Sequence, residues 1–338
     1  MTKTTRISYA FILATILLVG WLHLATPFLT VLFSYFALEK LRFGQTKTVA
    51  IGLFFALAFA VSYLFAFLIT QGLEALPHIA STSVPILIHH AQEYGFELPF
   101  TDWDSLKVLL LDEIRAQVKL LGTVAKTATK ETVLFIIGLV VAVSIFVNSK
   151  YQLGRVEHAV KNDLYVALCD EIAARFRDFY DSFVTVMGAQ ILISTINTGF
   201  TSIFVLAIKL PYASLIIMFT FLCGLLPIVG NLLSNTLIVS VALTISPKLA
   251  IAALVFLIIL HKLEYFLNSK IIGEKIKNPM WLTLLGLILG ERLMGIPGMI
   301  LAPVVLNYIK SEMSKITVHA LTETPLPEQT SLRAKKAA

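Results

Sequence analysis

The sequence predicts an all-α, polytopic integral membrane protein of about eight helical segments, and three observations carry that expectation. First, 57% of the 338 residues are apolar and only 14% are charged, against roughly 25% charged in ordinary soluble domains. Second, the mean hydropathy is +0.83, more apolar surface than a soluble chain of this length can hide from water. Third, apolar runs recur along the chain at lengths that suit a bilayer core, which needs about 20 residues of helix to cross its roughly 30 Å.

The elements follow in order. The apolar run Ile7–Leu38 is long for one span and short for two. It reads as two short helices meeting near Pro27. Its basic start resembles a signal peptide, but the run is too long for one and lacks a clear cleavage site, so a retained membrane segment is expected. Val49–Ile69 reads as a clean span and Thr132–Val147 as a shorter one. Phe183–Ile208, Tyr212–Val229, Leu232–Ile245 and Leu249–Leu267 follow in quick succession. Trp281–Ile309 is again too short for two full spans, and is broken by Glu291, Arg292, Gly295, Pro297 and Gly298. It reads as a re-entrant hairpin.

Two stretches read as helices outside the membrane. Within 71–130, Leu106, Leu110, Ile114, Val118 and Leu121 repeat at helical spacing, with Thr101 and Asp104 as a capping pair. Within 151–183, an apolar row from Leu153 to Phe183 steps by threes and fours, opposite a charged face. That row predicts one long amphipathic helix that lies on the membrane, packs on the protein's own spans, or makes a contact between subunits. The expected organisation is membrane segments in 1–70, an external helical region in 71–130, a span in 131–150, the amphipathic cytoplasmic helix in 151–183, a transport core in 184–310 and a disordered cytoplasmic tail in 311–338.

Positive charge sets the expected orientation. If both termini lie inside and both broken runs return to the side they left, 19 of the 27 Lys and Arg residues fall inside and 7 outside, with Arg292 within an apolar run. Such an excess of basic residues marks the cytoplasmic side. The net charge of +6 does not imply nucleic-acid binding, because the basic residues form no stripe with interleaved aromatics.

The sequence carries no GxSxG, HExxH or Walker lysine, so an enzyme is not expected. Cys169 and Cys223 make no CxxC pair and no metal spacing. His89 and His90 read as solvated, without an acidic partner at ligand spacing. Neither a metal nor a cofactor is expected.

Transport needs polar groups at membrane depth and helices that can break. Four places qualify. Pro227 and Gly230 interrupt an apolar run beside Asn231 and Asn235, which share a face. Glu264 and Asn268 are four residues apart at the end of another run, where a carboxylate withdrawn from water could exchange a proton or hold a cation. Glu291 and Arg292 stand in the last apolar region, where a charge at the bilayer centre costs about 2.5–3.5 kcal/mol on insertion scales. Gln190, Ser194 and Thr198 run down one face of a span, a pattern that also serves helix packing. The expected pathway residues are Gln190, Asn231, Asn235, Glu264, Asn268, Glu291 and Arg292. The expected hinges are Pro227, Gly230, Gly295, Pro297, Gly298 and Pro303.

At these residues the chain resembles the autoinducer-2 exporter family. YDSFVTVMGAQ at 180–190, LLPIVGN at 225–231, EYFLNSKIIGEKIKNP at 264–279 and LMGIPGMILAPVV at 293–305 carry the resemblance. The N-terminal half is similar only in hydropathy. The resemblance implies an eight-segment helical fold in the bacterial inner membrane, a pentameric homo-oligomer, and export of a small hydrophilic solute. Some relatives are associated with autoinducer-2, and others with sodium or lithium efflux in exchange for protons. The leading expectation is secondary export of a small polar solute with quorum-sensing chemistry. The alternatives are a Na+(Li+)/H+ antiporter and, from another class, a membrane scaffold.

Overall fold

In a computed structural model, residues 3–93, 95, 102, 104–108, 119–148, 164–226, 229–271 and 279–315 are described. Ten helices are named among them: α1 (Lys3–Trp21), α2 (Ala25–Leu41), α3 (Lys47–Glu93), α4 (Lys119–Val147), α5 (Leu164–Ala207), α6 (Ala213–Gly224), α7 (Val229–Ile245), α8 (Pro247–Ile271), α9 (Met280–Met294) and α10 (Ile296–Ser314). There is no strand among the described residues. Four stretches, in α1, α3, α4 and α5, are long and apolar enough to cross a membrane, and α6 and α7 are shorter apolar helices. Large apolar side chains such as Phe59 of α3, Ile203 of α5 and Ile258 of α8 stand exposed on the outer surface, as a lipid solvent allows. The chain is an all-α integral membrane protein.

The expected pairs of short helices are present. α1 and α2 fold back at residues 22–24, and Pro27 lies inside the first turn of α2. A proline is tolerated there because the first backbone N–H groups of a helix have no internal partner. α9 and α10 turn at Gly295, with φ 65° and ψ −148°. At 1.5 Å per residue α9 is about 22 Å long and α2 about 26 Å, short of a full bilayer core.

Two helices run past the boundaries read from the sequence. α3 does not end near Ile69 but continues through Pro77 and Pro85 to Glu93. α5 joins the end of the amphipathic row to the following span in one helix of 44 residues. Residues 151–163 and the tail from 316 lie outside the described residues. The capping pair falls one residue from the expected place: the Ser105 backbone N–H donates to Asp102 Oδ1 at 2.6 Å, and the Asp102 N–H donates back to Ser105 Oγ at 3.1 Å. Thr101 lies outside the described residues. His89, read from the sequence as lacking an acidic partner, has one in the structure: Nδ1 lies 3.7 Å from Glu93 Oε1, one helical turn on.

The long helices α3 and α5 join two packed groups. One core gathers Ile12 of α1, Leu29 and Leu32 of α2, Phe179, Phe183 and Met187 of α5, and Leu301, Val304 and Tyr308 of α10. The aromatic row of α5 is therefore spent on the protein's own helices, with Phe183 edge-on to Phe33 at 5.0 Å. The other core gathers Ala75 and Ile79 of α3, Val205 of α5, and residues of α6, α7 and α8. Phe204 of α5 stacks on Phe256 of α8 at 4.1 Å, and Ser83 of α3 donates to the Ser240 carbonyl of α7 at 2.8 Å. α4 packs on α2.

Candidate functional site

The break between α6 and α7 sets up the site. A helix ends with four carbonyls that have no partner inside it, and within a membrane they need partners from the protein. Here all four are engaged. The Leu225 N–H donates to Leu222 O and the Leu226 N–H to Cys223 O. Ser194 Oγ donates to Phe221 O at 2.7 Å, and Gln190 Nε2 to Gly224 O at 2.6 Å. The polar face of α5 thus closes the end of α6. Two glycines allow the approach: a Cβ at Gly224 would meet the Ser194 side chain, and one at Gly230 would overlap the Cys223 carbonyl.

This arrangement yields a prediction. Gln190→Leu leaves the Gly224 carbonyl without its partner, a loss of about 1–3 kcal/mol for a buried polar group. The expected result is a lower thermal midpoint in detergent. Gln190→Glu, which removes the donating amide, is expected to act in the same direction.

Beyond the break, the start of α7 faces α8 across a small polar cleft. Asn231 Nδ2 donates to both carboxylate oxygens of Glu264, at 2.8 and 2.7 Å. Glu264 is 15% exposed at its side chain, and His261 Nδ1 stands 3.8 Å from its Oε2 on the water- or lipid-facing side. The cleft is lined by Asn197, Thr201, Thr220, Asn231, Ser234, Asn235 and Glu264, with Leu257, Leu260 and His261, and its volume is about 10 Å³. A cavity of that size takes about one water-sized body.

The lining has a distinctive chemistry. Asn197 Oδ1, Thr201 Oγ1 and Thr220 Oγ1 are buried and make no hydrogen bond. Asn197 and Thr201 lie near the middle of the apolar stretch of α5, and Thr220 lies in the apolar helix α6. Buried polar groups without partners are rare and call for an explanation. Three free oxygens beside a carboxylate and two amides make a surface that fits a hydrogen-bonding or cationic guest.

The structure brings together Asn231, Asn235 and Glu264 in the cleft, whereas Gln190 does not line it and donates instead to the Gly224 carbonyl. Asn268 lies one turn past Glu264 on α8, with its side chain outside the described residues, as is Pro227. Glu291 and Arg292 are exposed on the last turn of α9, in the other packed group, and do not line this cleft. Gly295 forms the α9–α10 turn, Pro297 sits in the first turn of α10, and Pro303 lies inside α10 without ending it. Gly298 and Gly290 are in backbone contact, since a Cβ on either would overlap the other's carbonyl.

The spacing of single residues gave no sign of Asn197, Thr201, Thr220 or Ser234 as cleft residues. Ser194, which holds the end of α6, was visible only as part of a polar face. Equally unannounced is a second polar cluster, at the end of the bundle where residues 3 and 315 lie. The Glu312 side chain, 5% exposed, accepts hydrogen bonds from Tyr9 Oη at 2.7 Å, from Arg175 Nη1 and from Lys315 Nζ at 2.8 Å.

A helical membrane protein with broken apolar helices around a polar, oxygen-lined cleft belongs to the class of transporters. The family is equally definite: the model of the AI-2E family transporters matches residues 4–317, and the chain belongs to that family. Among curated proteins, YdbI of Bacillus subtilis (strain 168), whose name describes a transport protein, is 27% identical over 158 residues. That match covers 46% of this chain and 45% of YdbI, so it spans about half the length of either protein. No solved structure matches.

Proposed function

We propose that this protein is a secondary transporter that exports a small polar, autoinducer-2-like solute across the bacterial inner membrane, with both termini in the cytoplasm. The observation that carries the reading is the Asn231–Glu264 pair in a cleft with three unpaired buried oxygens, those of Asn197 and Thr201 on α5 and of Thr220 on α6. Asn231 on α7 and Glu264 on α8 hold the two helices together and close the cleft around about 10 Å³. Passage of a solute requires α7 and α8 to part, and the solute's hydroxyls then replace Asn231 as partners of the carboxylate. The end of the bundle that holds residues 3 and 315 also carries Lys40, Lys47, Arg175 and Lys315, which supports a cytoplasmic placement. Membership of the family supports a homo-oligomer, a pentamer by resemblance. The energy source in this reading is an ion gradient or the solute's own gradient.

The test is flux from proteoliposomes loaded with autoinducer-2 and a panel of small polyols and sugars. Saturable efflux of at least one member supports export. Efflux no faster than from protein-free liposomes for every member rejects it.

One observation favours a second reading, Na+(Li+)/H+ antiport. The closed cleft has the volume of a single ion or water, and oxygen donors with one carboxylate suit a hard cation. Here Glu264 is the carboxylate that ligates the cation. A pH-dye assay in the same proteoliposomes separates the two. Sodium- or lithium-driven proton movement supports the antiporter, and a flat trace rejects it.

A further inference from the structure

We propose that the α9–α10 hairpin rocks as one body against α5, and that Glu312 is the latch that holds it shut at the end where residues 3 and 315 lie.

The hairpin has the construction of a rigid unit. Its helices touch through backbone at Gly290 and Gly298, and a Cβ on Gly286 would stand 3.0 Å from the Leu306 side chain. Its attachment to the rest of the molecule is one-sided. Leu287 is the buried apolar residue of α9, whereas Trp281, Leu285, Ile288, Leu289 and Leu293 stand exposed. α10 instead places Leu301, Val304 and Tyr308 into the core with Phe179, Phe183 and Met187 of α5.

The two ends of the hairpin differ. At its tip, Gly295 and Pro297 border an open cleft of about 510 Å³, shared with His23 and Thr26 of the α1–α2 hairpin and Lys130 and Glu131 of α4. At the other end the hairpin is bolted. Glu312 draws in Tyr9 from α1 and Arg175 from α5, and Lys315 reaches both Glu312 and Asp178, the latter at 2.9 Å. The Arg175 guanidinium also lies over the Tyr9 ring, 4.5 Å from its centre. One buried carboxylate therefore joins three helices.

The closed interface carries an opposing term. Arg175 Nε and Tyr308 Oη are buried there and make no hydrogen bond. Unpaired buried polar atoms favour any arrangement that returns them to water, whereas the Glu312 cluster favours closure. An interface held by a strong bond against unsatisfied neighbours is the two-state element that a gate requires. Removing one partner of a buried charged cluster leaves the other uncompensated, so loss of the Glu312 charge tips the balance toward opening.

The transport reading above supplies only the purpose of this motion, and the test does not need a solute. In a Cys169→Ser/Cys223→Ser background, a single cysteine replaces Met187, a buried residue of α5 under α10. A second reporter replaces Ile238, a buried residue of α7 in the other packed group. Both are labelled with a water-soluble maleimide in proteoliposomes. Glu312→Gln is expected to speed labelling at Met187→Cys about tenfold, the response of a two-state balance shifted by the loss of one strong contact, and to leave Ile238→Cys unchanged. Tyr9→Phe, which removes one donor and keeps the charges, is expected to give a two- to threefold rise, and it serves if Glu312→Gln fails to fold. No change at Met187→Cys in either variant overturns the latch, as does equal acceleration at both reporters, which marks general loosening. Selective acceleration at Met187→Cys in a protein that moves no solute upholds the latch and removes the transport reading instead.

Discussion

Glu264→Gln is expected to lower the initial rate of transport roughly a hundredfold while leaving folding and membrane insertion in place. The side chain keeps its shape in this variant and loses its charge. The Asn231 amide donates to both carboxylate oxygens, and a hydrogen bond to a charged group contributes about 1.5–3 kcal/mol, a factor of roughly ten to a hundred and fifty. The substituted amide offers one acceptor and one donor in place of two acceptors, so the Asn231 amide loses one of its two partners or turns over. The unpaired oxygens of Asn197, Thr201 and Thr220 then face a neutral group, and a guest that needs the carboxylate has none. Flux per reconstituted protein, beside a size-exclusion profile in detergent, is the measurement. Wild-type flux from a monodisperse Glu264→Gln preparation would take Glu264 out of the pathway. Asn231→Asp combined with Glu264→Gln restores an amide–carboxylate pair in the reverse sense. Its partial recovery of flux would show that the pair itself, more than the position of the charge, does the holding.

Glu264 and Asn231 were legible in the sequence because each is a polar group at the edge of an apolar run, a placement that membrane proteins keep for pathways or helix contacts. That they bond to each other was not legible, since 33 residues separate them. The Glu312 cluster was hidden more deeply. Arg175 and Glu312 stand 137 residues apart; Glu312 lies near a helix end and Arg175 on the charged face of the amphipathic row, where a charge ordinarily meets water. Only the packing of α10 along α5 makes them buried partners. Glu291 and Arg292 drew attention for the opposite reason. They interrupt an apolar run, yet they stand on the exposed last turn of α9, away from the cleft.

Apolar helical character could be read from hydropathy, but helix length could not. The span read as ending at Ile69 continues through Pro77 and Pro85 to Glu93. Pro27 promised the first turn, which falls at 22–24 because a proline fits inside the first turn of a helix as well as before it. Gln190 and Ser194 were recognisable as a polar face, and their use became clear only when the carbonyls at the end of α6 were placed beside them.

Gly298→Ala is expected to destabilise the protein by about 3 kcal/mol or more, at the upper end of the range for overpacking. The glycines of the last hairpin read as hinges, and the structure gives them separate tasks. Gly295 adopts φ 65° and ψ −148° with open space where a Cβ would point. An alanine there meets only conformational strain, of order 1–3 kcal/mol. Gly298 has no unusual φ, but its added Cβ would overlap the Gly290 carbonyl and come within 2.8 Å of Met294 Cβ. Neither obstacle is the mobile end of a long side chain, so relief requires α9 and α10 to move apart. The consequence is a loss of the hairpin as a unit, read as a lowered thermal midpoint and a poorly monodisperse preparation. A hinge would behave otherwise: Gly298→Ala would then stay as stable as the wild type and transport slowly. Stability retained with flux lost would therefore place a flexing point in α10, whereas stability lost upholds the contact that makes the two helices one body.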